Sequence, residues 1–133
     1  MTGGGAFFDT NIPLYLLSDD PAKASRAEDL LALGGTISVQ VLNEFVAVVR
    51  RKQLASWPDL EDMLDSIKRV CRVEPLTVAT HERALGLAKR FGIPIYDATI
   101  AASALEAGCR TLYSEDFQDR QRFGAMTVRN PFA

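Results

Sequence analysis

Cysteine and histidine are both scarce in this chain of 133 residues, which has two cysteines and one histidine. Cys71 and Cys109 lie far apart and form no C-x-x-C pair, so neither a disulfide framework nor a cysteine-based zinc site is expected. His81 alone excludes a metal site built from several histidines of one chain. A metal bound by this chain is therefore expected to have oxygen ligands.

The sequence also lacks long apolar runs and an excess of either charge. No run approaches the roughly 20 apolar residues of a membrane helix. Residues 1–5 have neither the basic start nor the apolar core of a signal peptide, and Gly3, Gly4 and Gly5 suggest a flexible entry rather than a phosphate loop. The net charge of −2 leaves no polybasic tail for nucleic acid, although a local basic face can coexist with an acidic site. We expect a cytoplasmic protein that does not enter a membrane.

What the chain does contain is a balance typical of one domain with a buried core. Hydrophobic residues make up 47% and charged residues 24%, which excludes disordered and low-complexity classes. We expect a single domain over residues 1–133.

Short apolar strands alternate with helices along the chain. Strands are predicted at residues 6–8, 36–38, 72–74, 110–113 and 126–129. Helices are predicted at residues 13–17, 23–33, 39–51, 59–70, 78–91 and 98–107. This alternation predicts an α/β fold of three layers, with a central, mainly parallel sheet flanked by helices.

Four acidic residues stand out by their position. Asp9 and Asp116 come directly after predicted strands, and ligands gather at the carboxyl ends of parallel strands. Glu44 lies beside the apolar stripe of a predicted helix, and Asp97 opens the most apolar helix of the chain. Most of the other acidic residues fall in turns or on polar helix faces and are expected to be solvated.

Four carboxylates cannot share a small pocket in the ionised form without a counter-charge, so a divalent cation is a natural companion. Ligation by oxygen alone favours Mg²⁺ or Mn²⁺ over zinc. Mg²⁺ keeps several waters and takes one or two protein carboxylates, a geometry that suits hydrolysis of a phosphodiester.

Each of these acids also has a structural interpretation. Asp97 can cap its helix, which contributes about 1 kcal/mol, and Asp9 can form an Asx-turn. Glu44 can pair with Arg51 or reach solvent, and Asp116 can cap the turn that follows it. The case for a site depends on all four positions being filled at once.

Four segments carry a resemblance to a known family. They span most of the chain and are residues 7–11 (FFDTN), 41–45 (VLNEF), 96–102 (YDATIAA) and 112–117 (LYSEDF). In this order they resemble the PIN-domain ribonucleases, and most closely the VapC-type toxins of bacterial toxin–antitoxin pairs. The resemblance implies that the catalytic residues are Asp9, Glu44, Asp97 and Asp116.

Within that set, the resemblance implies that Asp9 and Asp97 ligate Mg²⁺ or Mn²⁺, and that the other two acids complete the cluster directly or through water. Asn11 would support the Asp9 loop and Ser114 the Asp116 loop. Glu115 and Asp119 lie close to Asp116, so the identity of the fourth acid stays open.

The implied activity is metal-dependent endoribonuclease cleavage, in which water attacks RNA and leaves a 5′-phosphate and a 3′-hydroxyl. The implied partners are an RNA substrate, a cognate antitoxin and a second copy of the chain in a homodimer. His81 cannot supply both acid and base for 2′-hydroxyl chemistry and is expected on the surface of its helix.

Two further groups could contact a partner. The basic residues that could hold the RNA backbone, or simply lie at helix ends, are residues 50–52, Arg120 and Arg122. The apolar residues that could form a partner surface, a dimer seam or core are Leu54, Trp57, Leu60 and Leu64.

Three other functions compete with this one. A haloacid-dehalogenase-like phosphatase needs a second Asp where Asn11 stands, and a phosphate-receiver domain needs an acidic pair directly after its first strand. A non-catalytic PIN fold that only binds RNA or a partner usually lacks one of the acids. All four acidic positions are filled here, which favours activity.

Overall fold

The computed structural model describes residues 5–132 and contains one six-stranded sheet with strand order β3-β2-β1-β4-β6-β5. The strands are β1 (Ala6–Phe8), β2 (Gly35–Ser38), β3 (Cys71–Glu74), β4 (Thr111–Tyr113), β5 (Arg122–Phe123) and β6 (Met126–Arg129). All neighbours pair in parallel except β5 and β6. The flexible entry predicted at Gly3 and Gly4 lies outside the described residues.

Six helices flank the sheet: α1 (Asn11–Leu14), which continues as a 3-10 turn (Tyr15–Leu17), α2 (Pro21–Ala32), α3 (Val39–Arg51), α4 (Trp57–Val70), α5 (Val78–Phe91) and α6 (Ile95–Glu106). The predicted α/β fold with a mainly parallel central sheet is confirmed. Among the described residues, none of these helices combines the length and the apolar character that crossing a membrane requires.

Helix α3 shows why the sequence pattern folds as predicted. The Ser38 hydroxyl accepts a hydrogen bond from the Val41 backbone N–H and caps the helix at the end of β2. Val41, Phe45 and Val49 recur at helical spacing and are all buried, so this stripe faces the core. Glu44 lies beside the stripe and is half-buried, with its carboxylate at the edge of the core.

Close packing of the central strands requires a glycine in β2. A Cβ atom at Gly35 would lie 2.5 Å from Cε2 of Phe8 and 2.9 Å from the backbone oxygen of Ala6. Phe8 belongs to the buried core, so its ring has little room to move aside. Gly35, the first residue of β2, thus allows β2 to pack closely against β1.

Two predicted helix starts were wrong. Helix α6 begins at Ile95 instead of residue 98, because Pro94 takes the N-cap position and starts the helix one turn earlier. Trp57 and Pro58 open α4 instead of preceding it, because the Ser56 hydroxyl caps this helix and proline is tolerated in a first turn.

The sequence did not predict β5. This strand has two residues and pairs antiparallel with β6 across Gly124, whose φ of 60° suits a tight turn. A two-residue strand is too short to show an alternating pattern, so periodicity does not reveal it.

Candidate active site

A cavity of about 390 Å³ opens at the carboxyl ends of β1 and β4. Its lining includes all four acids singled out in the sequence: Asp9, Glu44, Asp97 and Asp116. They come from the loop after β1, from α3, from the first turn of α6 and from the loop after β4. The fold therefore gathers side chains that are far apart in the chain into one space, hereafter the acid cavity.

Asp9 is the most buried of these acids, with 3% of its surface exposed. Its Oδ1 accepts a hydrogen bond from the Thr10 backbone N–H at 2.7 Å, and its Oδ2 accepts one from the Ser114 hydroxyl at 2.7 Å. Burial raises the pKa of Asp9 to about 7, although these hydrogen bonds act in the opposite direction; the charges of Asp116 and Glu44 raise it further. A buried carboxylate beside like charges is stabilised by a cation.

Glu44 is positioned by a residue that the sequence did not single out. Its Oε1 accepts a hydrogen bond from the Thr10 hydroxyl at 2.6 Å. Among residues 5–132, Glu44 forms no ion pair with Arg51, so that structural interpretation was wrong. Thr10 therefore contacts two acids, Asp9 through its backbone and Glu44 through its side chain.

Asp97 is not the cap of α6. Pro94 holds the N-cap position without a side-chain hydrogen bond, and Asp97 lies within the first turn, half-buried. Burial raises the pKa of Asp97, and the charges of Asp116 and Glu44 raise it further. The helix N-terminus favours a negative charge, but the carboxylate of Asp97 accepts no hydrogen bond from any of residues 5–132.

Gln40 connects the helices that carry Glu44 and Asp97. Its side chain is buried, and its Nε2 donates a hydrogen bond to the backbone oxygen of Tyr96 at 3.1 Å. This contact ties the first turn of α3 to the first turn of α6, directly beside Asp97. The sequence offered no signal for this role, because a buried glutamine near a helix start has no distinctive spacing.

Of the three neighbouring acids in the β4 loop, only Asp116 lines the acid cavity. Glu115 instead accepts a hydrogen bond from the Tyr15 hydroxyl. Asp119 accepts one from the backbone N–H of Asn130 at 2.8 Å and fastens the loop to the chain after β6. The geometry thus favours Asp116 over its neighbours as the fourth acid of the cluster.

The two predicted supporting residues both contact the acids. The Ser114 hydroxyl donates to Asp9 and accepts from the Asp116 backbone N–H at 3.0 Å, so one buried hydroxyl links both loops. Asn11 Nδ2 donates to Oδ2 of Asp116 at 3.3 Å. Its Oδ1 is buried and has no hydrogen-bond partner among the described residues.

These donors fit a hydrated divalent cation. Among residues 5–132, no three side chains of His, Cys, Asp or Glu are grouped closely enough to enclose a metal ion by themselves. Mg²⁺ needs no such cage, because it keeps most of its waters and takes one or two carboxylates. The carboxylate of Asp9 and the unpartnered Oδ1 of Asn11 supply oxygen ligands of the kind that Mg²⁺ and its waters require.

The basic residues at the end of α3 have different surroundings. The Arg50 guanidinium stacks over the Trp57 ring at 4.3 Å and donates to the backbone oxygen of Ala55 at 3.4 Å, a structural role. Arg51 lines the acid cavity. Arg120 and Arg122 are exposed at the edge of the sheet near β5.

The apolar residues considered for a partner surface divide into two pairs. Leu60 is fully buried and Leu64 packs against the core, so these two belong to the interior. Leu54 and Trp57 remain 44% and 53% exposed and are the members of the group available to a partner.

Comparison with known proteins places this geometry in a family. The family model for the PIN domain matches residues 6–122. No curated protein sequence matches the chain significantly.

Solved structures share the fold. VapC20 of Mycobacterium tuberculosis, described as a sarcin-ricin loop cleaving toxin, is 24% identical with a TM-score of 0.68, over 84% of this chain and 89% of its own. A toxin–antitoxin complex from Klebsiella pneumoniae is 19% identical with a TM-score of 0.72, and the match covers 95% of this chain and 97% of the other. VapBC2 of Rickettsia felis, bound to a DNA fragment from its promoter, is 19% identical with a TM-score of 0.67, and the match covers 94% of this chain and 97% of the other.

Proposed function

The chain belongs to the PIN domain family, and from that premise we propose that it is a metal-dependent endoribonuclease that acts as the toxin of a toxin–antitoxin pair. The observation that carries the proposal is the acid cavity, in which four carboxylates from separate parts of the chain line one space and the most buried of them has a raised pKa. Such an arrangement destabilises a protein unless a cation binds there, and it is typical of functional sites.

The roles proposed for the residues follow from their positions. Asp9 and Asp97 would hold Mg²⁺, with Glu44 and Asp116 contacting the ion or its waters. A bound Mg²⁺ supplies a water of lowered pKa and shields the charge of a phosphodiester. Ser114 holds Asp9 in place through its hydroxyl, and Asn11 contacts Asp116.

Thr10 and Gln40 would act on this site without touching substrate. The two hydrogen bonds of Thr10 hold the carboxylates of Asp9 and Glu44 in register with each other. Gln40 holds the backbone beside Asp97. Carboxylates oriented in this way before the metal binds lose little conformational freedom when it does.

The experiment that tests the nuclease is cleavage of total RNA by purified, antitoxin-free protein, with Mg²⁺ and with EDTA. The catalytic control is Asp9→Asn. The matched control is Glu115→Gln, because Glu115 is adjacent to Asp116 in the chain but does not line the acid cavity.

We expect Mg²⁺-dependent cuts with the wild type and with Glu115→Gln, and none with Asp9→Asn. Folded, metal-bound protein that binds RNA without cutting it would contradict the nuclease and support the alternative of a non-catalytic RNA- or partner-binding PIN fold. Equal cleavage in EDTA would contradict the metal.

The toxin role is a separate part of the proposal and is supported by the solved relatives that are toxin–antitoxin complexes. Exposed Leu54 and Trp57 offer apolar surface for an antitoxin or for a second copy of the chain. Induced expression in a bacterial host should arrest growth, and the Asp97→Asn variant should not. Light scattering of the purified protein tests the proposed homodimer.

A further inference from the structure

Three consecutive basic residues end helix α3, and the structure gives them unequal tasks. Arg50 turns away to stack over Trp57, and Lys52 is the C-cap residue of the helix. Arg51 lies seven positions after Glu44, two turns further along the same face, and lines the acid cavity. One member of the run therefore belongs to the site.

Among the described residues that line this cavity, Arg51 is the only one with a cationic side chain. Within the part of the chain that the structure describes, the ion pairs join Lys68 to Asp65 and Arg72 to Glu74, so Arg51 has no carboxylate at ion-pair distance. A guanidinium that shares a cavity with four acids and pairs with none of them keeps its hydrogen-bond donors free for a ligand.

A nucleic acid strand approaching the acid cavity needs such a group. Carboxylates repel the phosphates on either side of the one that is cut, and a metal ion held by the acids would act only at its own position. A guanidinium matches the paired oxygens of a phosphate, which it binds in a bidentate manner.

We propose that Arg51 binds a phosphate of the RNA strand adjacent to the phosphodiester that is cleaved. This inference rests on the proposed nuclease function and deepens it, since it assigns a residue for binding the substrate backbone. Because phosphate contacts carry no base information, Arg51 contributes affinity and register rather than sequence preference.

The competing explanation is that Arg51 merely stabilises the end of α3. Cations in the last turn of a helix interact favourably with its dipole. Arg50 occupies the same last turn, so it experiences the same effect and provides the matched control.

The test measures binding of a short fluorescein-labelled single-stranded RNA of mixed sequence over a range of salt concentrations. The proteins are Arg51→Gln, Arg51→Lys and Arg50→Gln, each combined with Asp9→Asn in Mg²⁺ buffer so that the probe stays intact, together with Asp9→Asn alone.

We expect Arg51→Gln to weaken binding about 3- to 10-fold at low salt and to reduce the slope of log K against log salt by about 0.7, the value for one phosphate contact on a single strand. Arg50→Gln should leave the slope unchanged. Arg51→Lys should restore the slope but only part of the affinity, because lysine is a point charge. Single-stranded DNA should show the same loss.

An unchanged slope for Arg51→Gln, or an equal change for Arg50→Gln, would overturn the proposal. This outcome is separable from the nuclease proposal. If Arg51→Gln reduces the slope but the wild type cuts no RNA, the phosphate contact of Arg51 is supported and the nuclease is contradicted. Metal-dependent cleavage with an unchanged slope does the reverse. In an active enzyme with Asp9 restored, Arg51→Gln should raise KM more than it lowers kcat.

Discussion

Both ends of the central sheet carry a cavity. The charged side chains that line one cavity have partners, whereas the carboxylates that line the other have no cationic partner among the described residues. At the amino ends of the strands, a cavity of about 570 Å³ is lined by Arg72 and Glu106 among glycines and other small residues. Arg72 pairs with Glu74 at 2.7 Å, and Glu106 accepts a hydrogen bond from the Thr80 hydroxyl at 2.7 Å. At the carboxyl ends, the acid cavity is smaller and its four carboxylates have no cationic partner among the described residues.

The comparison shows that charge left uncompensated, rather than volume, distinguishes the site. At the amino end, the two charged side chains of the lining, Arg72 and Glu106, each have a polar partner among the described residues. At the carboxyl end, hydroxyl and backbone donors orient the acids, and the repulsion between the carboxylates remains for a bound cation to relieve. The larger of the two cavities is therefore the one in which the charged side chains are already paired.

The largest expected difference between the two cavities can be tested at the two ends of one helix. Asp97 opens α6 in the acid cavity, and Glu106 closes the same helix at the other end of the sheet. We expect Asp97→Asn to reduce RNA cleavage by at least about 100-fold, more than the roughly 10- to 100-fold typical of residues that only orient a metal ligand. Glu106→Gln should retain cleavage, measured with matched amounts of folded protein.

Asp97→Asn should also keep the free energy of unfolding within about 0.5 kcal/mol of the wild type, as expected for a residue that caps nothing. Equal cleavage by Asp97→Asn and the wild type would remove Asp97 from the site.

Two buried serines provide the second test. Ser114 bridges Asp9 and Asp116, whereas the hydroxyl of Ser103 has no hydrogen-bond partner among residues 5–132. Ser114→Ala should lower Mg²⁺ affinity by about 10- to 100-fold, because the carboxylate of Asp9 loses its orienting donor. Calorimetric titration checks this affinity. Ser103→Ala should bind Mg²⁺ as the wild type does, and a shared loss would indicate a general packing effect.

Gly35→Ala probes the amino end, where we expect a purely structural effect. The added methyl group would meet Phe8 and the backbone of Ala6, so the unfolding free energy should fall by about 1–3 kcal/mol, as for other over-packed cores. Urea denaturation measures the loss. Folded Gly35→Ala should bind Mg²⁺ with normal affinity, and a selective loss of metal binding would contradict the separation between the two ends.

The pH dependence of the free energy of unfolding tests whether the charge of Asp9 destabilises the folded protein. The pKa of Asp9 in the folded protein, about 7, lies above its ordinary value of 3.8, so the folded state binds the proton more tightly than the unfolded state. Wild-type stability in EDTA should therefore decrease as the pH rises from about 4 to about 7 and stay low above that range.

Asparagine carries no such charge and can still accept from Thr10. Asp9→Asn should be more stable than the wild type by about 1–2 kcal/mol at about pH 8 in EDTA, and the difference should vanish near pH 4. Denaturant titrations at both pH values check this. A variant less stable than the wild type at the higher pH would show that Asp9 is needed for the fold.

Local patterns account for what the sequence predicted well. The apolar stripe of α3 is determined within a few residues, and it fixes the face on which Glu44 lies. The ends of β1 and β4 are equally local, because an apolar run stops at a polar residue. Acids that follow such strands can therefore be assigned to one edge of a parallel sheet before any contact is known.

Contacts between distant segments were beyond that reach. Thr10 and Glu44 are 34 positions apart, and Gln40 and Tyr96 are 56 apart, so no periodicity connects them. The different tasks of Arg50 and Arg51 likewise depend on which neighbours the folded chain brings to them. Leu60 illustrates the same limit, because it lies on an amphipathic helix and only the packing of α4 shows that it is fully buried.

The pairing of β1 with β4 has a consequence for the order of events during protein synthesis. Asp9 accepts one of its two hydrogen bonds from a serine 105 positions later, and β1 has its neighbour β4 only when that part of the chain has been made. A nascent chain that has produced Asp9, Glu44 and Asp97 still lacks the strand that brings Asp116 to them. Because contacts this distant in sequence form late in folding, we expect the acid cavity to be complete only after β4 and Asp116 have emerged from the ribosome.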